Sequence, residues 1–411
     1  MALLGSPYKT FATLANDSQG NQIISVIAKR TYDLPSKGPL VPSDEQLDLV
    51  TKEDYETKDT HPGSVPLAEL DIMPYKPASD VVVIGKAWAP DGRKVKELRA
   101  AVIVGNTGRV IQIYGDRKIE FSSTGRSFHF TEPEPFESID ITYWNAYGGV
   151  DPTVLRPEPK TTLEIIQALT FEEHLGAYPR NSVGKGYVVN EEKKLLDGCP
   201  LPNLEDPKDL LTPNRVLVRK PELWWRQPLP HGFGWFNPNW YPRSTFAGVL
   251  PPFPPPDHLD EFPEVKLGLV PKGQCERLKK APIEEWVDFR LQNGASPGLV
   301  MPYLNGDEKI SLVGMDVRGD RHFALPGEQP QILIRFEKEM LKVETRLQTV
   351  CILKEQDKLF QVWRGSARTP RVLPDRSPTP DDPMFDLLEG FDIAVDGVVY
   401  PHERQPFTQG K

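Results

Sequence analysis

The chain has 411 residues, of which 38% are hydrophobic, 31 are glycine and 43 are proline. This composition is close to that of globular proteins and excludes disorder as the main description, while proline at about twice its usual ~5% excludes long helices. The 49 basic and 58 acidic residues leave a net charge of -9, which gives no overall positive field to attract nucleic acid.

The start, Met1 to Pro7, has no basic stretch followed by an apolar one, and no run approaches the ~18 apolar residues of a membrane span. From Gln22 to Trp144 the pattern is mostly that of strands. Ile23 to Asp33, Asp80 to Ala89, Leu98 to Val104, Arg109 to Tyr114 and Ile139 to Trp144 are short β-branched or aromatic runs between turn residues, and Gly105 to Gly108 joins two of them as a hairpin. Thr162 to His174 has near-helical spacing of Leu163, Ile166, Leu169 and Leu175, and Ile283 to Phe289 repeats the pattern more weakly.

The stretch 151–305 is otherwise rich in Pro, Gly and Trp with little periodicity, so packing onto something else must hold it. Strand patterns resume at Lys309 to Asp316, Arg321 to Leu325, Gln331 to Glu337, Leu341 to Leu353 and Leu359 to Trp363. In the fourth, Leu341, Val343, Thr345, Leu347, Thr349 and Cys351 alternate with polar residues, which predicts one apolar and one wet face and antiparallel pairing. The expectation is a mainly β protein of antiparallel, sandwich-like sheets with an irregular middle and one or two short helices. One domain spans 1–366, strand-rich over 1–150 and 306–366, and a Pro-rich arm follows over 367–411.

Catalysis needs positioned nucleophiles, bases or metals, and their usual spacings are not found. Gly184-Lys185-Gly186 lacks the frame of a phosphate loop, so a turn that uses glycine's positive φ is the better reading. The seven histidines show no metal-ligand spacing, and only His231, beside Gly232 in an aromatic segment, is worth testing as a general base. Glu205 and Asp206 are sequence neighbours that point apart, and Asp206 before Pro207 suits a helix cap. Cys199, Cys275 and Cys351 lie far apart, which predicts reduced thiols, no zinc site and a cytoplasmic address. No cofactor is expected.

The most unusual composition is Leu223 to Phe246, which holds four of the eight tryptophans. Rigid rings with proline and arginine suit the centre of a protein interface, so Trp235, Phe236, Trp240, Tyr241 and Arg243 are the candidate partner-binding residues. The competing reading is that the rings staple an irregular segment to the core, and it is at least as good for Trp224 and Trp225, of which at most one should face outward.

Several short motifs, in order, carry a resemblance. They are Ala28 to Asp33 with Tyr32, Pro77 to Val81 with Asp80, Tyr114-Gly115-Asp116-Arg117, and Tyr147 to Pro152 with Gly148 and Gly149. Arg180 and Asn181 follow with Gly184 and Gly186, then Leu201 to Pro207 with Pro202, Asn203 and Asp206, then Gly232 and Gly234 ahead of Trp240, Pro242 and Arg243. Over about Ile23 to Arg368 this series resembles the type VI secretion adaptor (chaperone) family, proteins encoded beside secreted effectors, VgrG spike proteins and PAAR tip proteins. The resemblance implies a non-enzymatic cytoplasmic protein that binds an effector and loads it onto a PAAR or VgrG component, without nucleic acid or membrane insertion. It carries over no catalytic residues. A hydrolase built around His231 is the competing reading.

Overall fold

A run dense in β-branched residues forms a twelve-residue strand over Gln22–Asp33. In this computed structural model the described residues are 7–16, 21–36, 38–58, 61–73, 76–151, 176–189, 191–192, 196–247, 267, 280, 293–336, 339–369, 391–396 and 398–400. Gln22–Asp33 pairs antiparallel with Lys9–Asn16 on one side and with Lys358–Arg368 on the other, where Ile23 faces Arg368 and Asp33 faces Lys358. Beyond Lys358–Arg368 lie Thr345–Leu353, Ser79–Ile84 and Val300–Met301, completing a seven-stranded sheet with Val41–Pro42 at its flank. Two strands from late in the sequence therefore sit side by side between strands from its first hundred residues.

A second sheet orders Leu204–Glu205, Thr107–Tyr114, Glu97–Val104, Lys309–Val313 and Arg321–Ala324. The hairpin at its centre turns through Gly105 and Asn106, where Gly105 takes a φ of 58°, so the Gly-Asn signal selects the turn that was expected. Val26, Val82, Leu347 and Val350 of the first sheet share one apolar cluster with Val102, Ile111 and Leu312 of the second. This gives the molecule its sandwich-like, mainly β body. A further sheet joins Glu339–Val343, Ile332–Phe336, Phe391–Val395 and Val398–Tyr400, so the end of the stretch read as an arm adds two strands.

Several boundaries differ from expectation for local reasons. The run Asp80 to Ala89 divides at Gly85, where a Cβ would sit 2.8 Å from Lys354 Cβ, into Ser79–Ile84 and Lys86–Trp88. Strand Ile139 to Trp144 shortens to Ser138–Asp140, because Tyr143–Asn145 closes a 3-10 turn that buries Tyr143 and Trp144. The alternation holds over Leu341 to Leu347, where Lys342, Glu344 and Arg346 are exposed and Val343, Thr345 and Leu347 are buried, and it fails beyond: Gln348 and Thr349 are buried with Val350 and Cys351. Thr345–Leu353 is central, antiparallel to Lys358–Arg368 but parallel to Ser79–Ile84, and a register shift after Leu347 breaks the period. Both expected helices, Thr162 to His174 and Ile283 to Phe289, lie outside the described residues.

The irregular middle is not merely draped over the sheets. It supplies Leu204–Glu205 and Val300–Met301 to them, and its Tyr178, Tyr187, Trp224, Trp225 and Tyr241 form a second buried apolar cluster with Ile119 and Tyr147 of the preceding stretch. Among its described helices are the single turns Pro213–Val216 and Arg243–Phe246 and the 3-10 segment Pro221–Arg226. Trp224 and Trp225 stand in the last of these and not on an extended run, and both are buried. The expectation that at most one faces outward holds, while the extended run from which it was argued is replaced by the 3-10 segment.

Candidate functional site

Most of the sequence motifs converge on one junction between the second sheet and the middle region. Tyr147–Gly148 pairs in parallel with Lys185–Gly186, and Gly148 has a φ of 150° with its α-carbon facing the Asn181 carbonyl, where a Cβ would approach to 2.2 Å. Only glycine fits there. Asn181 Nδ2 donates to the carbonyls of Tyr143 and Tyr147 at 2.9 and 3.1 Å, and the Asn181 carbonyl accepts from Gly149 N–H at 2.8 Å. Gly184 packs against Ala146 and Asn181, and Gly186 against the Pro202 ring. The Gly-Lys-Gly element is thus a backbone close-packing device: Gly186 takes a positive φ of 91°, but in a short strand pair and not in a turn.

Asn203 ties this junction to the sheet, since its Nδ2 donates to Tyr114 O and Asp116 Oδ1 at 3.1 and 3.0 Å while its Oδ1 accepts from Lys185 Nζ at 2.8 Å. Arg117 donates to Pro202 O at 3.0 Å and pairs with the buried Glu205 carboxylate. At Gly115 a Cβ would lie 1.8 Å from Glu134 O, so a side chain is excluded. Arg180 is fully buried, with Nη1 donating to Tyr178 Oη at 3.1 Å and Trp225 O at 2.9 Å. Asp206 does not cap a helix: its Oδ1 accepts from Lys208 N at 2.8 Å in a turn. Tyr32, in the first sheet, is buried with its hydroxyl donating to Glu328 at 3.1 Å.

Beneath the aromatic segment lies a buried cluster of two acids and two bases. Asp80 accepts from Lys76 Nζ at 2.8 Å, from Asn293 Nδ2 at 2.9 Å and from the Gly294 and Ala295 N–H groups at 3.0 and 3.1 Å. Glu69 pairs with Arg243, whose guanidinium also donates to Phe236 O. Burial pushes the Glu69 carboxyl upward, opposed by the charges of Arg243 and Lys76. Charge and hydrogen-bond compensation of this kind is what makes burial of four ionisable groups tolerable.

The proposed partner-binding surface is not a surface. Trp235 and Trp240 are each 3% exposed, and Phe236, Tyr241 and Arg243 are also buried. Phe236 and Trp240 pack edge-on against each other and against Tyr143, with ring centroids 5.1 to 5.6 Å apart, and Tyr241 packs edge-on against Trp224 at 5.1 Å. Gly232 does not turn the chain outward, since its α-carbon lies against the Tyr143 ring, and Gly234 lies beside Ile84. Pro242 follows a cis peptide from Tyr241. The packing reading of this segment replaces the interface reading.

His231 is 2% exposed, and Arg109 Nη2 approaches its Nδ1 and Nε2 to 2.5 and 2.9 Å. The nearest carboxylate, Asp206 Oδ2, stands 3.5 Å from Nε2 and 3.9 Å from Arg109 Nη2. Burial, with the Arg109 charge adding to it, holds the imidazole well below its usual value. A ring lone pair turned to a guanidinium is poorly placed to take a proton from a substrate. Burial likewise pushes the Cys199 and Cys351 thiols up, to about 11 and about 12, which suits inert thiols. Among the described residues no group of three or more His, Cys, Asp or Glu side chains could hold a metal, and no helix is long and apolar enough to cross a membrane.

Arg109 also lines a cavity of about 510 Å³ between the Gly105–Asn106 hairpin and Val300–Met301. Sequence reasoning placed Arg109 only as the start of a strand. Nothing in its neighbourhood, Asn-Thr-Gly-Arg, signals a site, because His231 and the cavity walls come from distant parts of the chain.

A family model described as an uncharacterized protein conserved in bacteria (DUF2169) matches residues 19–364. No curated protein and no solved structure matches the chain.

Proposed function

The chain belongs to the bacterial DUF2169 family, and from that premise we propose that it is a non-enzymatic cytoplasmic adaptor: it binds a secreted effector and loads it onto a PAAR or VgrG component of a type VI secretion spike. The observation that carries this reading is what the motif residues do. Gly115, Gly148, Asn181, Gly184 and Asn203 are occupied in close backbone packing and backbone hydrogen bonds, so the motifs build a shape and supply no reacting group. Side chains and glycines engaged in holding a shape suit a protein whose task is recognition by a preorganised surface. The His231 hydrolase is the weaker reading on the same ground, since its ring is buried against Arg109.

The test is affinity capture of the full chain from the bacterium that encodes it, with the products of the flanking genes quantified. An adaptor retains one flanking effector or a spike-tip protein in stoichiometric amount, and capture of neither would count against it.

A further inference from the structure

A guanidinium has five N–H donors in a fixed fork, and burying it is costly unless they and its charge find partners. Arg109 is about nine-tenths buried, yet among the described residues only its Nη2 finds a hydrogen-bond partner, and that partner is the uncharged His231 ring. Asp206 Oδ2 stands 3.9 Å from the same Nη2, so the one carboxylate beside Arg109 faces the His231 side of the guanidinium, and its other oxygen accepts from Lys208 N–H. Nη1 therefore retains its donors, and with Cδ it lies near the bare α-carbon of Gly298, a residue of the cavity that Arg109 lines.

The rest of that cavity is mostly apolar. Val104, Val300, Met301 and Leu304 contribute walls, and Thr107 stands at the rim. Glu308, a carboxylate on the lining, is turned to its own loop and accepts from the Asn305 and Gly306 N–H groups at 2.6 and 3.0 Å. A volume of about 510 Å³ falls in the range of small-ligand sites. An apolar cavity with one guanidinium nitrogen turned toward it matches one ligand chemistry, an apolar body ending in a carboxylate, which would take a charge-assisted hydrogen bond from Nη1.

We propose that the chamber between the Gly105–Asn106 hairpin and Val300–Met301 is a binding site for an apolar monocarboxylate, held by Arg109. This goes beyond the adaptor reading and stands or falls separately from it, because the ligand binds the isolated chain. The carboxylate could belong to a free acid or to the C-terminal residue of a polypeptide, and the chemistry is shared.

The experiment is titration calorimetry on the full chain with two probes, octanoate and an Ala-Ala-Leu-Leu peptide with a free C-terminus, each beside its neutral counterpart, octanamide or the peptide amide. We expect saturable binding of at least one acid and loss of about tenfold or more in affinity for its amide. Binding of octanoate alone assigns a free acid, and preferred binding of the peptide assigns a chain terminus. Arg109→Gln should remove the preference for acid over amide. Thr107 is exposed, so a charge there leaves the core alone: Thr107→Glu should weaken and Thr107→Lys strengthen binding of the acid, with unchanged thermal midpoint. The Thr107 pair carries the test should Arg109→Gln unfold. No saturable binding of either acid, or affinity indifferent to the amide and to the charge at position 107, would overturn the proposal.

Discussion

Trp235 and Trp240 sit at 3% exposure within a set of edge-on rings, and their energetic role follows from that. Cutting either to alanine removes a large buried side chain and leaves a cavity that neighbouring strands cannot fill, at a cost of about 3–5 kcal/mol. Thermal denaturation of Trp235→Ala and Trp240→Ala should show markedly lowered midpoints, with any loss of partner binding following the loss of folded protein. Unchanged midpoints with weakened binding would restore the interface reading. The segment was legible as unusual but not as buried, because aromatics with Pro and Gly have the same composition in an interface centre and in an irregular core. What decides is Tyr143, some ninety residues earlier in the chain, whose ring fills the space beside Gly232 and against Phe236.

His231 gives a pH dependence at the same scale. Its folded value is depressed while the unfolded ring titrates near 6.5, so its contribution to stability is fully present above about pH 6.5 and is lost as pH falls toward the folded value. In urea titrations between about pH 7 and 5, the native chain should lose stability with a slope approaching 1.4 kcal/mol per pH unit from this group, and His231→Gln should lose about that much less. A His231→Gln variant with the same pH slope would show that the ring is protonated in the folded chain.

At the scale of elements, the strands most legible in the sequence were those with a local cause. Glu97–Val104 and Thr107–Tyr114 carry β-branched runs around a Gly-Asn turn, and Gln22–Asp33 is nearly continuous in strand-forming residues. Less legible were elements whose limits come from contacts with distant residues. The run Asp80 to Ala89 breaks at Gly85, whose α-carbon faces the Lys354 side chain, and the alternation of Leu341 to Leu353 is lost after Leu347, where the register shifts and Gln348 and Thr349 are both buried. The candidate carboxylate chamber was not legible at all, since Arg109, His231 and Val300 meet only through the fold.

The pairing pattern makes a definite statement about truncation. A 1–305 fragment loses Thr345–Leu353 and Lys358–Arg368 from the middle of the first sheet and Lys309–Val313 from the second, leaving Gln22–Asp33 and Ser79–Ile84 without the neighbours that bridge them. Exposed sheet edges and an opened core should follow. We expect this fragment to be insoluble or to lack a cooperative thermal transition, and a soluble fragment that melts cooperatively would contradict the shared-body topology.

At the scale of the whole molecule, one sandwich-like body is clamped to a middle region by a second, aromatic cluster, and Tyr147, Asn181, Lys185 and Asn203 lie where the two meet. Such a junction can hold the middle region in one orientation, which is what recognition of a partner by shape requires. The reading as an effector-loading adaptor is tested most directly by deleting the chain in the bacterium that encodes it and quantifying every secreted effector in the culture medium. The adaptor reading predicts that export of one effector is lost, and restored by the chain in trans, while the other effectors are still exported. Unchanged export of all effectors, or equal loss of all of them, would contradict it.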